Sequence, residues 1–295
     1  MIEPLDAEIA AALGRLGFLP RTWQRISTIR AADTGRSVFR VDLENGRTLK
    51  ARRLESDAAA RRLFELRRNL PSGFAPALHC VDAVVLESWI EGETLAPGRA
   101  STAQLIEAAG ILARLHSTPS ADGRALPEME ATAPERGAAD DARRHLTTSG
   151  YLGDAENDRV AEALAQSDPG HALAGLVHTD FCGENIVLDA GGRLHVIDNE
   201  RLGIGALGLD VARSWYRWML PTEDWRCFLE AYRASMSHDD SLRNFSFWAL
   251  IATLKSAALL SRLEPRRAQG PIDCIRRLLS GAAGVTKDGS LTAHR

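Results

Sequence analysis

The apolar residues of this chain change their period near residue 86, and that change limits the folds open to it. Before it they fall in short runs, ISTIRA, VFRVDL and RTLKARRL, whose alternation sends successive side chains to opposite faces, as in strands. Asn45-Gly46 sits between two of these runs, and both residues tolerate the positive φ of a type I′ turn, so a hairpin is expected there. The result is a three-stranded meander with Lys50 on its third strand. DAAARRLFELRRNL follows with helical spacing, Ala59, Leu63, Leu66 and Leu70 forming one stripe, until Pro71 ends it. Two more short apolar runs, at 78–81 and 83–86, complete a small antiparallel sheet with one helix.

After this point the texture is helical. ESWIEGETLAP reads as a polar connector, and STAQLIEAAGILARLHS as a helix capped by Ser101 or Thr102. Residues 118–139 read as a surface loop, with further helices expected at 139–148 and 155–166. LVHTDFCGENIVLD leads into a hairpin, IVLD-AGG-RLHVID, and everything beyond Asp210 has helical spacing. The expected architecture is α+β: an N-terminal lobe over 1–87, a larger helical lobe over 88–295, and a connector at 87–92.

Composition excludes several classes. With 295 residues, 45% of them hydrophobic, the chain can fill sizeable cores. Its net charge of −3, divided as +4 over the first 86 residues and −7 over the rest, makes no case for nucleic acid as a partner. The acidic start resembles no secretory signal, and no apolar stretch reaches the roughly 20 residues of a membrane span. A cytoplasmic protein without a membrane partner is expected. Cys80, Cys182, Cys227 and Cys274 are scattered without a paired spacing, which suggests neither zinc site nor disulfide framework. Of 36 basic residues only Lys50, Lys255 and Lys287 are lysines. Lys50 therefore stands out in an arginine-rich segment, where an ammonium and a guanidinium are not interchangeable.

HTDFCGEN gathers a histidine, two carboxylates and an asparagine into eight residues beside an apolar run. Such a cluster is either a capped turn or a site, because unpaired polar groups beside a core cost about 1–3 kcal/mol each. Its pattern His-x-Asp-x-x-x-x-Asn resembles that of the aminoglycoside phosphotransferase and choline kinase family, small-molecule relatives of the protein kinases. A strand-borne lysine, WIEGETL, LARLHS, VIDNE and GLDVA are similar to the family's other landmarks and stand in the same order. The resemblance spans about residues 22–260 and implies a protein-kinase-like bilobal fold.

What the family does supplies roles for these residues. Phosphoryl transfer asks a protein mainly to position oxygens in line and to neutralise the charge of the transferring group, usually with Mg²⁺. By resemblance Asp180 is the catalytic base, and Asn185 and Asp198 are oxygen ligands for Mg²⁺. Lys50 would contact the α and β phosphates of ATP, held by Glu65 from the following helix. The backbone of Ser88 and Ile90 would hold the adenine. His178 is architectural, Asp210 braces the loop through backbone amides, and Glu200 is either a neighbour of the metal ligand or a structural residue.

Three departures are visible. The nucleotide loop ADTGRS has a single glycine, Gly35, so Ser37 is expected to assist; Thr179 replaces a glycine; Asn199 replaces an aromatic residue. The implied reaction moves the γ-phosphoryl group of ATP to a hydroxyl of a small molecule: an amino sugar, aminoglycoside, amino alcohol or related metabolite. Trp215, Tyr216, Trp218, Trp225, Glu223 and Asp224 are available for acceptor choice, although aromatics at helical spacing are more often core. The competing reading is a nucleotide-binding pseudokinase or scaffold that has lost turnover.

Overall fold

The computed structural model describes residues 3–26, 36–95, 100–119, 128–236 and 242–281. The chain groups into two compact units, Met1–Glu93 with Val187–Leu202, and Thr94–Ile186 with Gly203–Arg295.

The first unit opens with helix α1 (Ala7–Arg15), which precedes the first strand-like run and was not among the expected elements. Asp6 caps it, its carboxylate accepting the amide of Glu8 at 3.0 Å. Five strands follow, β1 (Pro20–Arg25), β2 (Ser37–Leu43), β3 (Thr48–Arg53), β4 (Ala77–Val81) and β5 (Val84–Ser88), in the antiparallel order β1-β2-β3-β5-β4. The first strand is PRTWQR, just before the expected ISTIRA, most of which lies outside the described residues. The β2–β3 hairpin forms as expected but not with a type I′ turn. Gly46 alone takes positive φ (81°), and Leu43 N–H closes a three-residue loop onto the Arg47 carbonyl at 2.8 Å. Here one left-handed glycine suffices where the two-residue turn would require two such residues.

Ile9 and Leu13 of α1 are fully buried with Phe39, Val41, Leu49, Ala51, Val84 and Leu86 of the sheet. Helix α2 (Asp57–Arg68) is capped by Ser56, but its buried stripe is Ala60, Leu63 and Arg67. The stripe is rotated by one residue from the apolar one read in the sequence, so an arginine faces inward. The short strands β6 (Glu93–Thr94), β9 (Ile186–Leu188) and β10 (Leu194–Val196) pair in the order β10-β9-β6. The β9–β10 turn closes around Asp189, whose Oδ1 accepts the amides of Gly191 and Arg193 at 2.8 and 2.9 Å.

The second unit is mostly helical: α3 (Thr102–His116), α4 (Ala133–Thr148), α5 (Asp154–Ser167), α6 (Leu207–Trp218), α7 (Thr222–Ser235), α8 (Phe245–Leu263) and α9 (Gln269–Leu279). Ser101 caps α3 through a reciprocal bond with Gln104. Pro134 starts α4 inside the stretch read as a loop, where its missing N–H costs nothing. Strands β7 (Glu128–Ala131), β8 (His171–Val177) and β11 (Gly203–Ala206) form a small antiparallel sheet in the order β11-β8-β7. Helix α8 is apolar around most of its circumference and buries Phe245, Phe247, Trp248, Leu250, Ile251 and Leu254, the signature of a central core helix. Among the described residues no helix is long and apolar enough to cross a membrane.

Candidate active site

In the second unit, β8 delivers the chain to HTDFCGEN, and one buried carboxylate shapes the loop. Asp210, in the first turn of α6, accepts the amides of His178 and Thr179 at 2.8 and 2.7 Å. His116 completes the brace, its Nε2 lying 3.1 Å from Asp210 Oδ2 and its Nδ1 2.8 Å from the Tyr232 hydroxyl. Burial alone would raise the Asp210 pKa, but His116 and the His178 amide outweigh it and hold the carboxyl below its ordinary value. His178 is itself buried, and its Nδ1 accepts the Asp180 amide at 3.3 Å.

Thr179, at the family's glycine position, adopts φ 69°. A β-branched residue is rare in that left-handed region, so the loop carries local strain. Phe181 anchors the next turn in a fully buried aromatic cluster with Trp218 and Phe228. Gly183 lies so close to the Leu95 carbonyl and the Trp218 indole nitrogen that a Cβ there would overlap both. Asp180 is thereby presented at the loop's outer edge with its side chain 29% exposed.

Asn185 folds back on Asp180 through a 3-10 turn. Its Nδ2 donates to the Asp180 carbonyl at 2.9 Å and to the carboxylate at 3.3 Å. Both acceptors demand the NH₂ end, which leaves the amide oxygen as the end available to another partner. Arg217 Nε stands 3.4 Å from Asp180 Oδ1, an ion pair the sequence did not signal. Trp218 and Trp225 are core residues, and Glu223 pairs with Arg226 on the surface. Burial pushes the Cys182 thiol up to about 11, so it is an inert core thiol.

In the first unit, Lys50 on β3 donates to Asp198 Oδ1 at 2.8 Å, and Arg52, two residues along the same strand face, donates to the same oxygen at 3.0 Å. Asp198 follows β10 in a left-handed conformation (φ 62°, ψ 42°), which aspartate tolerates better than most residues. Burial opposes its charge, but Lys50 and Arg52 prevail and keep it well below the usual carboxylate range. Glu200 meets Arg52 Nη2 at 2.9 Å. Burial, reinforced by the neighbouring Asp198 and opposed by Arg52, raises the Glu200 carboxyl to about 7. Asn199 is buried and donates to the Val196 carbonyl at 3.1 Å, a use for the amide where the family has an aromatic ring.

The helix carboxylate expected beside Lys50 is not there. Glu65 lies on the outer face of α2, 58% exposed, 3.6 Å from Arg68, because the helix turns Arg67 rather than Glu65 inward. The buried anion of this region is Glu87 on β5, the cross-strand partner of Lys50. It is 1% exposed, with Arg67 Nη1 at 2.7 Å and Arg52 Nε at 3.6 Å. Arg52 was legible in principle, since it shares the strand face of Lys50; the inward turn of Arg67 was not, since Leu63 belongs to both possible stripes.

One other expectation changes and another is narrowed. The Ser37 hydroxyl is buried and donates to Asp6 at 2.7 Å, so it is tied to α1 rather than offered to a phosphate; Gly35 lies outside the described residues. The Ser88 amide already donates to the Pro76 carbonyl at 3.1 Å. A backbone contribution from 88–90 to a ligand thus falls to the Ser88 carbonyl and the Ile90 amide.

The sequence profile of the phosphotransferase enzyme family matches residues 12–245. The chain belongs to that family. It is therefore a phosphotransferase by descent, with the protein-kinase-like α+β fold. A comparison with curated proteins finds no significant match. Among solved structures, it is similar to choline kinase LicA from Streptococcus pneumoniae, with 13% identity, coverage of 93% of this chain and 98% of that one, and a TM-score of 0.68. A choline/ethanolamine kinase family protein from Mesorhizobium loti shares 19% identity over 92% of this chain and 93% of the other, with a TM-score of 0.64. Macrolide 2'-phosphotransferase MphH from Brachybacterium faecium shares 16% over 93% and 98%, with a TM-score of 0.63. At such identities the likeness speaks for the fold.

Proposed function

We propose that the protein is an ATP- and Mg²⁺-dependent small-molecule kinase that moves the γ-phosphoryl group to a hydroxyl of an amino sugar, aminoglycoside, amino alcohol or related metabolite. Family membership supplies the reaction type, and the relatives named above, kinases and phosphotransferases of small molecules, supply the acceptor class. The observation that most supports turnover is the state of the HTDFCGEN loop. Asp180 is braced from behind by Asp210 and from the side by Asn185, and its carboxylate remains accessible. A scaffold that had lost turnover would have no use for a braced, partly accessible carboxylate held beside a strained residue.

The donor chemistry fits Mg²⁺. Asp198 is held anionic, and the Asn185 amide oxygen is left over by the bonds its nitrogen makes; both are hard oxygens of the kind this ion prefers. When bound, Mg²⁺ supplies neutralisation of the phosphate charge. Asp180 orients the acceptor hydroxyl and accepts its proton as the new bond forms. Lys50 offers the ammonium for the α and β phosphates, and the Ile90 amide and Ser88 carbonyl hold the adenine.

The test is ADP release from purified protein with Mg²⁺, ATP and pooled hydroxylated amines, sugars and nucleosides. Acceptor-dependent ADP release above the Asp180→Ala background supports the kinase. Nucleotide binding with no acceptor-dependent release from a broad pool would favour the pseudokinase.

A further inference from the structure

Two cations meet on one oxygen of Asp198, and they are held very differently. Lys50 has a flexible four-carbon stem, Asp198 as its one ion-pair partner among the described residues, and 12% of its side chain exposed. Arg52 is 4% exposed and stands within ion-pair distance of three carboxylates, hydrogen-bonded to Asp198 at 3.0 Å, with Glu200 at 2.9 Å and Glu87 at 3.6 Å. Glu87 is in turn locked by Arg67, whose Nη2 also donates to the Ala75 carbonyl at 2.7 Å. The chain Ala75–Arg67–Glu87–Arg52–Asp198 thus links α2, β5, β3 and the turn after β10 through buried charges.

We propose that Arg52 is the positioning residue of Asp198: anchored by Glu87, it keeps the carboxylate in place when Lys50 leaves for a nucleotide phosphate. The inference rests on the proposed roles of Lys50 and Asp198. An ammonium on a free stem can exchange one anion for another, whereas a planar guanidinium pinned at several edges cannot follow. Were Lys50 the sole partner, its departure would release Asp198 at the moment that carboxylate is needed. The arrangement also replaces the helix carboxylate that Glu65 fails to provide. Here α2 contributes a cation, Arg67, and the sheet contributes the anion.

The experiment compares wild type with Arg52→Lys, which keeps the buried charge but cannot span three carboxylates. Mn²⁺ is the metal probe, titrated by electron paramagnetic resonance in the presence of saturating ADP; ADP binding without metal is measured by calorimetry. The expected result is a loss of Mn²⁺ affinity of about 10–100-fold, the usual effect of removing a partner behind a metal ligand. Metal-free ADP affinity falls by less than Mn²⁺ affinity, since drawing Lys50 away then leaves Asp198 less well held, and the metal concentration needed for half-maximal turnover rises in parallel with the Mn²⁺ loss. Equal affinities in variant and wild type overturn the proposal, as does a matching fall in metal-free ADP binding, which would mark a general structural role. If Arg52→Lys does not fold, Glu87→Gln, which loosens the anchor of Arg52, must weaken Mn²⁺ in the same direction. A wild type that binds no Mn²⁺ with ADP refutes the functional reading itself, before any variant is made.

Discussion

Replacing Thr179 by glycine should stabilise the protein, although the residue lies beside the proposed base. Thr179 has φ 69°, a conformation that costs an L-residue about 1–2 kcal/mol relative to its preferred regions. Its hydroxyl is buried without a hydrogen-bond partner among the described residues, a further penalty of about 1–3 kcal/mol. Glycine removes both, while its larger freedom in the unfolded chain returns about 0.5–1 kcal/mol. The net gain is about 1–4.5 kcal/mol, with about 2–4 °C in Tm per kcal/mol for a cooperative unit of this size. Both amide contacts of the brace survive, since Asp210 binds the backbone of residue 179 and not its side chain. Differential scanning calorimetry on Thr179→Gly and Thr179→Val separates the two terms, because valine loses the hydroxyl but keeps the β-branch. The strain argument fails if valine raises Tm as much as glycine does, and the whole account fails if glycine melts at or below wild type.

Other perturbations have equally definite outcomes. Asp180→Asn should lower kcat about 10²–10⁴-fold with little change in nucleotide affinity, as loss of a general base does; ADP release and calorimetry check the split. Gly183→Ala forces a Cβ into Leu95 and Trp218, and should cost more than the 1–3 kcal/mol typical of overpacking because one obstacle is backbone; urea denaturation measures it. Asp210→Ala leaves two amides and His116 without their buried acceptor and should destabilise by about 3–5 kcal/mol. Acid should act on the same group. The folded pKa of Asp210 is below its ordinary 3.8, so its contribution is complete above that value and is lost as pH falls through the folded pKa. The urea midpoint of wild type should therefore drop more steeply than that of Asp210→Asn below about pH 4, and parallel profiles would contradict the assignment.

The sequence carried the β2–β3 hairpin, the helices after Asp210 and the HTDFCGEN loop, because each is set by local periodicity or by turn-forming residues. It misled where packing decides. The apolar residues of α2 admit two adjacent stripes, and the choice that buries Arg67 is made by Glu87 on a strand twenty residues away. That choice turns Glu65 out, so no local rule could have found the error. Ser37 was misread for the same reason, since Asp6 claims its hydroxyl from α1. The placement of Asp180, Asn185 and Asp198 at chain turns was legible, because Asp and Asn favour turns. The Asp210 brace was legible from resemblance, and His116 stands in the landmark LARLHS, while Tyr232 behind it has no sequence signal beyond its type.

The pairing of Lys50 with Asp198 has a consequence for binding order. In the structure the proposed phosphate cation and the proposed metal ligand neutralise each other, at 2.8 Å and largely out of water. A nucleotide without metal must draw Lys50 away and leave Asp198 to Arg52 alone; a metal without nucleotide must compete with two cations for the same carboxylate. Each partner therefore binds against a cost that the other removes, and thermodynamic reciprocity requires that the two enhance one another equally. Lys50→Met should reduce this coupling from both sides, weakening nucleotide binding while making Asp198 easier for the metal alone to reach. Calorimetric titration of ADP with and without Mn²⁺, and of Mn²⁺ with and without ADP, measures both arms of the cycle. An undiminished coupling in Lys50→Met would show that the ion pair does not set it.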